Sequence, residues 1–293
     1  MVRRRVIVTG ATGQLGSAIL QAFAADEVRA FSSASLDITD PDAVRTTIAG
    51  ARPDAIINCA AFNDVDGAEA RPTDAFAVNA FAVRSLARAA EAAGAAFVHY
   101  STDFVFDGQA GVPYDEHARP APASVYAASK LVGEWFALEA PRGFVLRVES
   151  LFGSPREWRG RRGTLDAIVD GLEQGRDVRV FTDRVVSPSY THDVAAATRH
   201  LLDTGAAPGL YHCVNAGFGT WHDVAQEAAR VMNVPARLVP VTMNQIETRA
   251  RRPRYCALAT GKLAAAGFQM PEWRSALKHW LESRGAGAAA PHV

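Results

Sequence analysis

The chain has 293 residues, which suits one large or two small domains at about 150 residues each and allows a large buried core. Lysine plus arginine total 31, as do aspartate plus glutamate, so the chain has no general electrostatic attraction to nucleic acid or to an anionic membrane. Cys59, Cys213 and Cys256 are too few and too scattered for a disulfide framework and fit a reducing cytoplasm, and no stretch approaches the ~20 apolar residues that span a bilayer.

Arg3-Arg4-Arg5 resembles the charged start of an export signal. The apolar run behind it, Val6-Ile7-Val8, stops at once at a glycine turn, so secretion is not expected. That run reads as a buried strand. The turn Gly10-Ala11-Thr12-Gly13-Gln14-Leu15-Gly16 follows, and Ile19, Leu20 and Phe23 then recur with helical spacing from Ser17 to Ala24. Strand, glycine turn and helix in this order open a dinucleotide-binding fold. The glycines admit a pyrophosphate to the backbone, and the helix N-terminus offers it partial positive charge.

Val28 to Phe31 is the next strand, and Ser32-Ser33 end it. Enzymes that prefer NAD usually carry a carboxylate there for the ribose 2′-hydroxyl. Its absence, with no arginine in the glycine turn, predicts use of NADPH with NADH also accepted. Asp40 with Pro41 reads as a helix N-cap and first helical residue. Asp37-Ile38 before it either faces an adenine or forms the helix-entry turn. Ala55-Ile56-Ile57-Asn58-Cys59-Ala60-Ala61 counts as the fourth strand-like unit, and its small residues leave room for a cofactor. Asn63-Asp64-Val65-Asp66 reads as the start of a polar loop. A long helix is predicted over 73–93, carrying Phe76, Val78, Val83 and Leu86. Asn79 within it is either solvent-facing or bonded to a strand backbone.

Phe97 to Asp103 is a strand ending in Ser101, Thr102 and Asp103, and in doubly wound folds ligands sit beyond such carboxyl ends. After a loop rich in glycine and proline, Ser124 to Glu134 reads as a helix with Tyr126 and Lys130 one turn apart on one face. Phe144 to Val148 is a further strand. Beyond it the regular alternation weakens. Arg156, Arg159, Arg161 and Arg162 crowd a loop, and helices are expected around Leu165–Leu172, after His192-Asp193 and up to Met232. Strands are expected at Val178–Phe181 and Leu210–Val214. Thr220-Trp221-His222-Asp223 has the form of a capping box. Arg251, Arg252 and Arg254 form a second basic cluster. A last helix runs over 272–283, and the tail from Gly285 reads as disordered. The predicted fold is an α/β Rossmann-type doubly wound parallel sheet over 1–150. Residues 151–293 form mainly a smaller substrate-binding α/β region, with some segments returning to the first.

Tyrosine acts as an acid near neutral pH only when its proton affinity is lowered, and Lys130 supplies a positive charge for this. Thr102 can polarise a carbonyl. Together they suit hydride transfer from a nicotinamide to a ketone, Tyr126 giving the proton and Lys130 holding the ribose. The eight histidines show no ligand pairing, so no metal is expected, and Trp221, Trp273 and Trp280 read as packing residues. Each arginine cluster is either a solvated face or a phosphate contact.

These motifs resemble the extended short-chain dehydrogenase/reductases and, more narrowly, the dTDP-4-dehydrorhamnose reductase family. The resemblance runs from Thr9 to Trp273. It is carried by Gly13-Gln14-Leu15-Gly16, Asp64-Val65-Asp66, Ser101-Thr102-Asp103-Phe104-Val105-Phe106-Asp107-Gly108, Tyr126 through Lys130 with Gly133-Glu134, Gly209-Leu210-Tyr211-His212, Thr220-Trp221 and Arg252-Pro253. It implies catalytic roles for Thr102, Tyr126 and Lys130. It implies cofactor contacts at Gly10, Thr12, Gly13, Gln14, Leu15, Asp37, Ile38, Ala60, Ala61 and Asn79, besides Tyr126 and Lys130. Substrate contacts are implied at Asp103, Phe106, Ser150, Arg252 and Arg254. The implied reaction is NADPH-dependent reduction of a nucleotide-linked 4-ketosugar, with a homodimer left open. The pattern departs at three places: Gly67 stands where the family has lysine, Ser150 where it has tryptophan, and Asp183-Arg184-Val185-Val186 where it has an aspartate–glutamine pair before a glycine. A nucleotide-sugar epimerase or dehydratase, or a non-catalytic regulatory subunit like that of methionine adenosyltransferase, are the competing readings. Dehydratases place an aspartate–glutamate pair after the threonine, and here Phe104 follows Asp103.

Overall fold

The computed structural model describes residues 3–154, 160 and 162–286, so Arg156, Arg159, Arg161 and the tail beyond Ala286 lie outside the described residues. The first half builds β1 (Arg5–Thr9), α1 (Gln14–Ala22), β2 (Glu27–Phe31), α2 (Pro41–Ala51), β3 (Ala55–Asn58), α3 (Val65–Ala70), α4 (Pro72–Phe76), α5 (Ala82–Ala92), β4 (Ala96–Thr102), α6 (Val125–Leu138) and β5 (Gly143–Val148). The second half adds β6 (Leu151–Phe152), α7 (Thr164–Glu173), β7 (Val178–Phe181), β8 (Val185–Val186), β9 (Ser189–Tyr190), α8 (Thr191–Asp203), β10 (Gly209–His212), β11 (Gly219–Thr220), α9 (Trp221–Met232), β12 (Leu238–Val241), α10 (Gly261–Ala265) and α11 (Trp273–Ala286).

The main sheet has six parallel strands in the order β10-β5-β4-β3-β1-β2. β3 and β4 are buried along their whole length, as expected where helices cover both faces of a parallel sheet. On one face α1 packs with α8, joining Ile19 and Phe23 to Val194 and Leu201. On the other, α2 and α5 bury Val44, Ile48, Val83 and Leu86 against Ile56 and Phe97. A second core joins Leu165, Ile168, Val224, Leu277, Trp221, Trp273 and Trp280, so the three tryptophans pack as expected.

Local chemistry explains the element ends. Asp40 Oδ1 accepts from the Asp42 and Ala43 N–H groups at 2.9 and 3.0 Å, with Pro41 in the first turn. Thr220 and Asp223 form the expected capping box. Three expectations need correction. Ala55–Asn58 is the third strand and not the fourth, and the Leu36 to Thr39 stretch before α2 is a non-strand segment whose Leu36 and Ile38 side chains enter the core. Asp64 does not open a loop but caps α3, accepting from the Gly67 N–H at 3.1 Å. The long helix over 73–93 is interrupted by a π turn at Ala77–Phe81. There α6 comes so close that a Cβ on Gly133 would lie 2.1 Å from the Asn79 carbonyl oxygen.

Candidate active site

The chain reverses direction across the sheet between β1 and β3, and the crevice beyond their carboxyl ends is the usual ligand position in such sheets. A cavity of about 560 Å³ opens there. Its floor is the glycine turn, with Thr12, Gly13, Gln14 and Leu15 beside Ala60 and Ala61. Gly10 turns the chain at φ 65°, and a Cβ there would stand 2.5 Å from the Ala60 nitrogen. A Cβ on Gly16 would meet the Gly10 carbonyl oxygen at 2.3 Å. The bare backbone and the N-terminus of α1 thus face the cavity with free space and partial positive charge, which suits a pyrophosphate. Gly10→Ala is expected to weaken dinucleotide binding at least about tenfold, since it strains the turn and pushes on the Cys59-Ala60 backbone just after β3. Gly50→Ala, in open space on α2, is the control and should bind normally in the same fluorescence titration. A larger depression, about 1240 Å³, lies at the opposite ends of the strands. There Arg4, Arg5 and Arg199 are paired with Asp203, Asp54 and Asp26, and none of the expected site residues lines it.

Tyr126, Lys130, Thr102 and Asp103 stand on the wall of the 560 Å³ cavity. Ser124 caps α6 by accepting from the Ala127 N–H at 3.2 Å, and Glu69 accepts from the Val125 N–H at 2.8 Å, so the turn that carries Tyr126 is fixed from two sides. Lys130 Nζ donates to the Tyr100 carbonyl at 2.5 Å and lies 3.4 Å from His99 Nε2. Burial lowers the Lys130 pKa to about 8, against the pull of Glu134. His99 is held well below its ordinary range, by burial first and then by Lys130, and is therefore neutral. Asn58 donates to its Nδ1 at 3.1 Å and accepts from Thr9 Oγ1 at 2.7 Å and the Ala60 N–H at 3.1 Å. A buried polar chain thus runs from the end of β1 to Lys130. Thr102 Oγ1 donates to Asp103 Oδ1 at 3.0 Å and accepts from the Phe104 N–H at 3.2 Å. Asp103 is raised to about 6 by burial, which outweighs the opposing charge of Arg184.

The Lys130 shift predicts a pH dependence. The folded protein loses this proton near pH 8, whereas the unfolded chain keeps it to higher pH. Between the two values the unfolded state binds more protons, so this residue's contribution to stability rises with pH. Dinucleotide affinity should move the other way, falling as pH rises through about 8. Binding titrations from pH 6.5 to 9.5 check this, and Lys130→Met should remove the dependence along with most of the affinity.

The model of the family described as RmlD substrate binding domain matches residues 4–285. This chain belongs to that family. Among its relatives, dTDP-4-dehydrorhamnose reductase of Streptomyces griseus is 38% identical over 286 residues, covering 94% of this chain and 92% of that one. A probable dTDP-4,6-dihydroxy-2-methyloxan-3-one 4-ketoreductase of Streptomyces antibioticus is 36% identical, covering 94% and 93%. The crystal structure of dTDP-4-dehydrorhamnose reductase from Bacillus anthracis in complex with NADP superposes with a TM-score of 0.90 at 32% identity, covering 96% and 99%. A UDP-glucose 4-epimerase from Thermus thermophilus shares the fold, with a TM-score of 0.79 at 21% identity.

Several residues singled out from the sequence do not reach the cavity wall in this member of the RmlD family. Asn79 is buried and spends its amide on the Phe62 backbone (2.8 and 3.1 Å) and on Ser129 Oγ (3.0 Å), so it holds the loop after β3 against α6. Phe106 stacks on Tyr114 with centroids 4.1 Å apart, inside a small core with Val105 and Leu131. Asp37 is exposed and accepts from Thr39, while Ile38 is core, which favours the helix-entry turn. Arg254 is half-exposed beside Asn244 and Asp183. Arg252 does line the cavity, held by Asp66 at 2.6 Å. Ser150 lines it too, with φ 46°, an unusual backbone for serine. At Gly67 a Cβ would press on the Asp64 carboxylate at 2.1 Å, so the family's lysine needs a different setting of that cap.

Sequence reasoning missed Arg184 on the cavity wall and Glu149 behind it. Glu149 is buried behind Asp103, its pKa raised by burial and by that neighbour, and its Oε2 accepts from the Ser187 N–H at 2.6 Å. Oxygens of Asp103 and Glu149 and the Cys256 sulfur lie within 4.8 Å of one another. The positive charge nearby is that of Arg184, which acts on both carboxylates. The departures at Ser150 and at Asp183-Arg184 were the available signal.

Proposed function

We propose that this chain is an NADPH-dependent oxidoreductase that reduces the 4-keto group of a dTDP-4-keto-6-deoxysugar, as in dTDP-L-rhamnose or related deoxysugar biosynthesis. The observation that carries this reading is the meeting of Thr102, Tyr126 and Lys130 on one cavity with the glycine turn. The cradle fits a dinucleotide, because side chains at Gly10 or Gly16 would collide with backbone there. NADPH, when bound, supplies the hydride.

The protein's own groups do the rest. Tyr126 gives its proton to the ketone oxygen as negative charge develops on it. Lys130, dry and one turn away, favours the phenolate left behind and holds the ribose. Thr102 turns its hydroxyl from Asp103 to the same oxygen and steadies it. Arg252, released from Asp66, meets the diphosphate. Free thiols at all three cysteines fit a reducing cytoplasm. The test is NADPH oxidation with dTDP-4-dehydro-L-rhamnose. Ketosugar-dependent oxidation with a deoxysugar product is expected. Tight NADPH binding without turnover on any nucleotide ketosugar would favour the regulatory-subunit reading.

A further inference from the structure

Arg184 is more than nine-tenths buried, yet its side chain forms no hydrogen bond or ion pair among the described residues, and its Nε is shut off from solvent without a partner. The guanidinium lies over the Phe104 ring, Cζ 5.3 Å from the centroid. Phe104 in turn meets Tyr126 edge to face at 5.8 Å, and all three residues line the same cavity. A guanidinium so buried and without protein acceptors is costly, and its Nη1 and Nη2, unlike Nε, are open to the cavity, so these donors point to a ligand.

The neighbouring wall is unsatisfied in the complementary sense. Asp103 Oδ2 forms no hydrogen bond of normal geometry, its Oδ1 being taken by Thr102 and the neighbouring Cys256 thiol donating to the Pro253 carbonyl, and Glu149 Oε1 forms none either. Unpartnered donors and acceptors therefore stand side by side at this wall, Arg184 and Asp103 lining the cavity and Glu149 lying behind it. Two carboxylates at this spot oppose a diphosphate. A neutral group that both donates and accepts, such as a hydroxyl, satisfies both sides.

We propose that Arg184 and Asp103 clasp the C2 and C3 hydroxyls of the sugar and make the pocket selective for ketosugars that retain this diol. This rests on the reading above, which sets C4 at Thr102 and Tyr126. In a 4-keto-6-deoxypyranose, one side of C4 carries the C3 and C2 hydroxyls and the other leads to the C5 methyl. Only the hydroxylated side can engage the free donors and acceptors. Asp103 Oδ2 accepts from the C3 hydroxyl, and Arg184 donates to the C2 oxygen. Glu149 stays behind Asp103, its proton held by burial and by that neighbour, and ionised Asp103 balances the guanidinium charge. Arg184 is a substrate-binding residue in this clasp, standing where the family pattern has glutamine.

Calorimetry on the full chain loaded with NADP⁺ tests this with four ligands: dTDP, dTDP-L-rhamnose and its 2-deoxy and 3-deoxy analogues. In the wild type, loss of either hydroxyl should weaken binding roughly 10–100-fold, as for a lost hydrogen bond to a charged group. In Arg184→Gln the 2-deoxy penalty should shrink below about threefold with dTDP affinity unchanged, and Arg184→Lys should recover part of it. Deoxy analogues that bind the wild type as tightly as dTDP-L-rhamnose would overturn the clasp. So would an Arg184→Gln variant that weakens dTDP and all sugars alike. The wild-type comparison needs no variant to fold. If the expected binding pattern appears but no ketosugar is reduced, the reductase reading fails and the clasp stands.

Discussion

Tyr126→Phe is expected to lower kcat by about 10²–10⁴ while leaving dinucleotide affinity and melting temperature near wild type. The substitution keeps the ring, and with it the edge-to-face contact with Phe104, and removes only the hydroxyl. Thr102 can still bond the ketone oxygen, so binding of the sugar survives better than turnover. A single-turnover measurement with saturating NADPH isolates the chemical step. Wild-type hydride transfer in this variant would show that the proton comes from elsewhere, with Asp103 the next group to examine.

The second large effect falls on stability. Arg147 of β5 and Glu134 of α6 form a bidentate pair, Nε to Oε1 and Nη2 to Oε2 both at 2.7 Å, with each side chain almost fully buried. The guanidinium also lies 4.9 Å from the Phe106 ring centroid. His212 Nε2 is 3.4 Å away and accepts on that side, since burial and then Arg147 push its pKa down to about 3. Glu134→Gln keeps the shape but leaves the arginine charge without its counter-ion, at a cost of about 3–5 kcal/mol. Against a total of about 5–15 kcal/mol for a folded domain, that is a large share. Chemical denaturation of wild type and variant reads it directly. Adding Arg147→Met should return much of the loss, because no lone charge remains. A variant as stable as wild type would show that water or His212 replaces the carboxylate. Because Glu134 sits one turn beyond Lys130, the same variant should also loosen the face of α6 that carries Tyr126 and Lys130.

The sequence made the site legible where chemistry and local structure coincide. The glycine turn, the Asp40-Pro41 helix start and the Tyr126–Lys130 spacing each follow from short-range rules, and the structure places all of them as local elements. What could not be read depends on contacts distant in sequence. Phe106 sits inside a motif near Thr102 yet turns into a core formed with Leu258. Arg252 and Arg254 are two residues apart, but only the first reaches the cavity. Glu149 and Arg184 come from separate segments and meet only in the folded chain. Asn79 looks like a lone polar residue on a helix until the Phe62 backbone is set against it.

β10 pairs with β5 in parallel, Gly209 opposite Phe144 through His212 opposite Arg147, and so completes the sheet only after the chain has passed through α7 and α8. The order of synthesis gives this a kinetic meaning. As the chain leaves the ribosome, β5 emerges with one edge open and waits for residue 212 before that edge is closed. An open edge strand is a template for pairing with other chains. A release at residue 150 would therefore yield a sticky fragment rather than a miniature of the nucleotide half.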